Sequence, residues 1–391
     1  MVRKTIAGVL PDEWKGTLIK NICRVVRGSS PRPAGSPLFF DGNFLPWATV
    51  ADLTNSDDMY LTSTKSMLTE AGAERTRITD PGTLMLTNSG ATLGVPKISS
   101  IRCGANDGIA MLLELDGIVT EYAYYYLASK TQYFRDVIAP GVGQPNLNTD
   151  LIGDFPIPMP PLAEQKKIAQ ILSSWDKAIT TTEQLLANSQ QQKKVLRKQL
   201  LTGKKRFPEF NGKCERKELG ELLEYKQPTP YLVKSTDYND DYETPVLTAG
   251  KTFILGYTNE LEGIYREKLP VIIFDDFTTD SKFVDFSFKV KSSAMKILTA
   301  REGVSIKYVF EAMQMLDFNI GGHQRHWISI FSKQVIAIPE IAEQRKIAAA
   351  LSCADGEIET LKQKINHLKQ EKKALMQQLL TGKRRVKVDA A

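Results

Sequence analysis

The residues of this chain that could do chemistry are few, and their spacing fails the common reactions. His323 and His326 form an HxxH pair, but no further cysteine or histidine cluster completes a tetrahedral metal site. Gly250–Lys251–Thr252 ends like a phosphate-binding loop, yet Pro245 stands where that loop needs its first glycine, so no row of amides cradles a phosphate. The stretch GVGQPN (141–146) lacks the third glycine of a dinucleotide fingerprint, and Met159–Pro160–Pro161–Leu162 fits neither end of the Asn/Asp-Pro-Pro-aromatic loop expected of an amino-group methylating enzyme. Glu224–Tyr225–Lys226 is too common a string to mark a nuclease, and His367 falls on the exposed face of a helix. The chain therefore reads as having no active site, with no metal and no cofactor of its own.

Binding is the chemistry that remains. The 391 residues allow two or three domains, each with its own core. A net charge of +6 permits a polyanionic partner without requiring one. Four scattered cysteines, the absence of an 18-residue apolar run and an N-terminus interrupted by Pro11, Asp12 and Glu13 give a reducing, cytoplasmic setting as the expectation.

The strongest signal is a repeat. PLAEQKKIAQILSSWDKAITTTEQLLANSQQQKKVLRKQLLTGK (161–204) aligns without a gap to EIAEQRKIAAALSCADGEIETLKQKINHLKQEKKALMQQLLTGK (340–383). From Ala163 to Lys204, 22 of 42 positions are identical, which identifies a duplicated element. Ile347, Leu351, Ala354, Ile358, Leu361, Ile365, Leu368, Leu375 and Leu379 alternate four and three apart across Lys372, a heptad seam. Ile168, Leu172, Trp175, Ile179, Leu186, Leu196 and Leu200 keep the same register, interrupted by Thr182, Ser189 and Lys193.

Pro161 and Pro339 mark the entries, and Gly203 and Gly382 suit the left-handed residue that ends a helix. Two rods of about 40 residues, roughly 60 Å long, most simply pack antiparallel. Flush ends would set Ile168 against Leu379, Lys372 against Trp175 and Lys193 against Ala354. The basic runs that follow, Lys204–Arg206 and Lys383–Arg385, suit a helix's negative end or a phosphate.

The segments between the rods are globular by composition and share a skeleton but few residues. DPGTLMLTNSGATLG (80–94) and KLPVIIFDDFTTDSKF (268–283) each read as proline, buried strand and polar loop. The expected division is 1–160, a first globular domain; 161–206, a long helix; 207–338, a second globular domain; 339–385, a second long helix; and 386–391, a tail. The fold class is α+β: two mixed α/β domains separated by two long antiparallel helices in a coiled coil, with internal pseudo-two-fold symmetry.

The twin AEQ(K/R)KIA…QLLTGK rods resemble the conserved helical regions of the specificity subunit of type I restriction-modification systems. The intervening RGSSPRPAGSPLFF, LTNSGATLGVPKI, NDGIAMLL, TAGKTFILGYTNE, VIIFDDFTTDSKFVDF and GGHQRHWISIFSK are similar to its target recognition domains. The resemblance implies a non-catalytic, DNA-binding subunit that reads a split target on double-stranded DNA, one half per domain. It further implies two copies of a methyltransferase subunit, which uses S-adenosylmethionine to methylate adenine, and two copies of an ATP-driven restriction subunit. S-adenosylmethionine, ATP and Mg are then expected on the partners. Because the two domains differ, the target would be asymmetric. The rivals are a coiled-coil scaffold without DNA binding and an autonomous DNA methyltransferase or nuclease.

Base edges are read by Arg at guanine and by Asn or Gln at adenine, with Ser and Thr adaptable. In the first domain the candidates are Arg27, Ser29, Ser30, Arg32, Asn88, Ser89 and Thr92. In the second they are Lys251, Thr252, Tyr257, Thr278, Thr279, Lys282, His323, Gln324 and Arg325. An ordinary surface-loop residue is the alternative for each, and phosphate contact is the alternative for the cations. Gln144, repeated as Gln324, suits a structural role. For the protein partner, Glu164, Gln165, Lys167, Glu343, Gln344 and Lys346 are exposed by register, so their repetition points to a shared docking surface.

Overall fold

A computed structural model describes residues 2–139, 146–248, 252–316 and 326–388. The expectations for Lys251, His323, Gln324, Arg325 and Gln144 lie outside the described residues. The chain forms two compact units, 1–182 with 364–391, and 183–363. Each unit therefore takes one globular segment and half of each long helix, rather than following the segments as they run in sequence.

In the first unit a five-stranded sheet has the order Arg24–Arg27, Ile109–Leu113, Leu84–Thr87, Pro96–Ser99 and Tyr60–Leu61. Its neighbours are antiparallel except for the last pair. In the second unit a sheet has the order Leu223–Lys226, Met295–Ala300, Val271–Asp275 and Ser281–Val284, all antiparallel. The first four strands of the first order correspond to the four of the second, and Tyr60–Leu61 is an addition at the edge of the first sheet. Leu84–Thr87 and Val271–Asp275 are buried at every position, as unbroken apolar runs must be when neighbours cover both edges and both faces.

A helix follows each sheet, Thr120–Tyr133 and Ile306–Met313. The buried tyrosines of these helices find carbonyl partners on the strand that precedes each long helix. Tyr122 Oη donates to the Pro158 carbonyl (3.2 Å), and Tyr308 Oη donates to the Ala337 carbonyl (2.7 Å). Buried hydroxyls left unpaired would be costly, and these bonds fix where each helix sits.

The long helices span Leu162–Leu201 and Ile341–Leu379. Within the first unit, Ile168 and Leu172 of the first helix share one core with Leu375, Leu379 and Leu380 of the second. Within the second unit, Leu196, Leu200 and Leu201 share a core with Ile347 and Leu351. The start of each helix thus packs on the end of the other, and the pairing is antiparallel and within about one residue of flush. Lys372 pairs with Asp176, the neighbour of Trp175, and Lys193 Nζ lies 2.5 Å from the carboxylate of Asp355, the neighbour of Ala354.

Four expectations are corrected. Glu164, Gln165, Glu343 and Gln344 are not exposed; each is 1–2% accessible. Gln165 Oε1 accepts from the Val119 amide (2.8 Å), and its Nε2 donates to the Pro160 carbonyl (2.9 Å). Gln344 repeats this with the Ser305 amide (2.9 Å) and the Pro339 carbonyl (2.8 Å). Val119 and Ser305 are the residues that open the helices after each sheet, so the repeated glutamine satisfies an orphan amide at a helix start.

Glu164 accepts from Arg385 (Nε 2.8 Å) and from Trp14 Nε1 (3.3 Å), and Glu343 accepts from Arg206 (Nε 2.9 Å). Heptad register missed this because the first turn of each helix faces its globular segment, not only the other helix. Lys167 and Lys346 are exposed, and Lys346 meets Glu209 at 2.7 Å.

Candidate nucleic-acid interface

Three loops meet at one end of the five-stranded sheet. Antiparallel pairing sets Arg27 opposite Ala110 and Thr87 opposite Ile109, which brings the ends of two strands beside the Asn106–Gly108 turn. That turn closes when the Ile109 amide donates to the Asn106 carbonyl (3.1 Å). The chain from Arg27 crosses over it, with the Ser29 amide donating to the Ala105 carbonyl (2.9 Å). A Cβ on Gly28 would stand 2.1 Å from the Asn106 carbonyl oxygen, so only glycine permits this crossing.

Asp107 is the centre of the cluster. Ser30 Oγ donates to its Oδ1 at 2.6 Å, Arg32 Nη2 lies 3.4 Å from Oδ2, and Arg27 Nη2 lies 4.0 Å from the same oxygen. Arg27 Nε also donates to the Asp107 carbonyl at 2.5 Å, and Arg77 donates to the carbonyl of Arg27. The Ser30 hydrogen bond, followed by a backbone hydrogen bond and then the two guanidiniums, holds the Asp107 carboxyl below its ordinary range against partial burial, so it is ionised at neutral pH. The Arg27 and Arg32 side chains remain 52% and 71% exposed.

Two open clefts flank the carboxylate, the first of them mainly polar. One of about 340 Å³ is lined by Arg27, Ser89, Asn106, Asp107 and Asn146, and one of about 410 Å³ by Ser30, Arg32, Trp47, Thr49, Asn106 and Asp107.

The structure thus gathers Arg27, Ser30, Arg32 and Ser89 at one place. Ser29 is pinned, its carbonyl accepting from Thr76 Oγ1 at 2.7 Å, and Thr92 is exposed on the loop after the strand. Asn88 is drawn inside at 2% exposure, so its side chain is not presented to a ligand. Sequence reasoning missed Asn106, Asp107, Asn146 and Arg77. The one available signal was Asn-Asp-Gly, which marks a tight turn; only strand pairing places that turn beside residues 27–32.

In the second unit the candidates fall on two sheets. Thr278 and Thr279 lie on the turn between Val271–Asp275 and Ser281–Val284, where Asp275 Oδ1 accepts the Phe277 amide (2.8 Å) and Thr279 takes a left-handed φ of 61°. Lys282 follows, half-exposed beside Asp280 (3.1 Å). Thr252 and Tyr257 belong to the hairpin that pairs Ile254–Thr258 with Thr244–Leu247, Thr252 exposed and Tyr257 half-buried.

The family model described as the type I restriction modification DNA specificity domain matches twice, over residues 11–188 and 211–370. The EcoR124I/EcoR124II specificity subunit of Escherichia coli is 58% identical over 126 residues, 31% of this chain and 31% of that protein. The MjaIX specificity subunit of Methanocaldococcus jannaschii is 32% identical over 200 residues, 50% of this chain and 44% of that protein. These matches thus span less than half the length of either relative.

The crystal structure of the S subunit from M. genitalium superposes with a TM-score of 0.65 at 15% identity, covering 94% of this chain and 96% of that one. A chain from a study of type I complex assembly and conformational transition gives 0.57 at 14% identity, covering 95% and 99%. These two likenesses establish the shared fold. With a family match over both globular segments and most of both long helices, the chain belongs to the type I restriction-modification DNA specificity family.

Proposed function

We propose that this chain is the sequence-reading, non-catalytic subunit of a type I restriction-modification complex in the cytoplasm. Each unit reads one half of an asymmetric, bipartite target on double-stranded DNA. The chain recruits two methyltransferase subunits and two restriction subunits, which carry S-adenosylmethionine, ATP and Mg. One observation carries this reading: a framework repeated contact for contact supports loops that differ between the two units. Arg206–Glu343 and Arg385–Glu164, Gln344 and Gln165, and Lys193–Asp355 and Lys372–Asp176 are the same devices used twice. The loops 88–95 and 276–280, which join corresponding strands, have no such correspondence in residue type. A constant frame with variable loops suits two readings delivered to one kind of partner.

For the partner surface, Lys167 and Lys346 remain exposed on the long helices, Lys346 through a side chain already paired with Glu209, while Glu164, Gln165, Glu343 and Gln344 hold the frame from within. The test is a purified full chain mixed with S-adenosylmethionine and duplex DNA, with no second polypeptide. Binding without methyl transfer is expected, and any transfer to DNA overturns the proposal.

A further inference from the structure

The Asp107 cluster contains a feature that simple backbone binding does not explain. A loop built only to grip phosphates gains from every cation and loses from an ionised carboxylate at its centre. Here the carboxylate is held in place by Ser30 (2.6 Å), and the two arginines at 3.4 and 4.0 Å from it are both more than half exposed. Arg27 is tied further through Nε to the Asp107 main chain, which leaves its terminal Nη1 and Nη2 fork open. A guanidinium whose stem is already fixed loses less freedom on binding, and a planar fork matches the O6 and N7 edge of guanine.

Resting on the proposed DNA-reading role, we infer that Asp107 is a positioning residue for base reading. It orients Arg27, with Arg32 beside it, towards a guanine, so the half-site read by the first unit contains a G·C pair set by this cluster. Asp107 acts through the arginines, and Arg27 supplies the base-contacting fork.

The experiment selects bound duplexes from a randomised library with the full chain, Asp107→Asn and Arg27→Lys, and measures binding of each to one unrelated duplex at the same salt. The intact chain is expected to enrich a split sequence with a G·C pair in one half. Asp107→Asn should lose preference at that pair by about tenfold or more, keep the other positions, and bind the unrelated duplex at least as tightly, since a negative charge has gone. Arg27→Lys keeps a phosphate-gripping charge but lacks the fork, so it should lose the same pair.

Unchanged base preference in either variant overturns the inference. If Asp107→Asn weakens every position and the unrelated duplex alike, the loop has collapsed and Arg27→Lys decides. Loss of the G·C preference alone supports the assignment, and its retention ends it. An intact chain that enriches no sequence overturns the proposed function itself, and this inference with it.

Discussion

Arg206 and Arg385 show what the basic tails of the repeat do. Each closes onto the first-turn glutamate of the other long helix, Arg206 on Glu343 and Arg385 on Glu164, with the glutamate side chains only 2–3% exposed. Removing one partner of such a pair strands the nearly inaccessible Glu343 carboxylate, so Arg206→Ala should lower the urea midpoint. Arg206→Lys should recover only part, because an ammonium cannot meet both carboxylate oxygens as the fork does. A second residue-scale prediction concerns acid. Burial opposes ionisation of Glu260, but Lys289 (2.8 Å) and the amides of Lys234 and Ser235 (2.8 Å each) outweigh it and lower its pKa from 4.5 to about 2. A depressed carboxylate stabilises fully above its unfolded value and loses that contribution as pH falls through the folded one. The intact chain should therefore melt above Glu260→Gln at pH 7, and the gap should close between about pH 4.5 and pH 2. A gap that stays constant with pH would contradict this origin.

At the scale of the element, the polar interruptions of the heptad seam specify its register. Lys193 bonds Asp355 (2.5 Å) and the fully buried Glu311 (3.1 Å), which also takes Arg197 (2.7 Å). Lys372 bonds Asp176 and lies over the Tyr125 ring, whose hydroxyl donates to Asp176 at 2.6 Å. A one-turn slip would break both sets, which is how a buried polar residue selects one alignment. Cysteines placed at Ile168 and Leu379 in a cysteine-free chain should therefore crosslink efficiently with a short bifunctional reagent. The helix ends make a finer prediction. Gly203 and Gly382 share a left-handed φ of 69°, but a Cβ would meet open space at Gly203 and Pro11 Cδ at 2.5 Å at Gly382. Gly203→Ala should cost about 1 kcal/mol for the backbone alone, and Gly382→Ala should cost measurably more in the same denaturation assay.

For the whole molecule, two units with a shared frame and different loops predict an asymmetric target. Methylated adenines mapped in the host genome, with and without the chain, should fall in a split sequence whose halves are not inverted copies. Substituting Arg32 should alter bases in one half, and substituting Thr278 should alter bases in the other. An effect of either residue on both halves would contradict independent reading. The net charge of +6 adds a sequence-independent component, so affinity for any duplex should fall as a straight line of log affinity against log salt.

The sequence alone determined the frame. A repeat read twice marks two long helices, because helix periodicity and capping are local properties. Antiparallel packing was the simplest expectation from them, and the contacts of Lys193 with Asp355 and Lys372 with Asp176 set the register. It also pointed to Leu84–Thr87 and Val271–Asp275 as buried strands. Only the tertiary structure decided which polar residues face inward. Glu164 and Gln165 looked exposed by helical register but serve contacts from residues 14, 119 and 385, and Asn88 turned from a surface reader into a buried one. Asp107 gained its role from strand pairing that joins residues 80 apart in the chain. Local spacing cannot encode such meetings, since they depend on which strands pair and in what register.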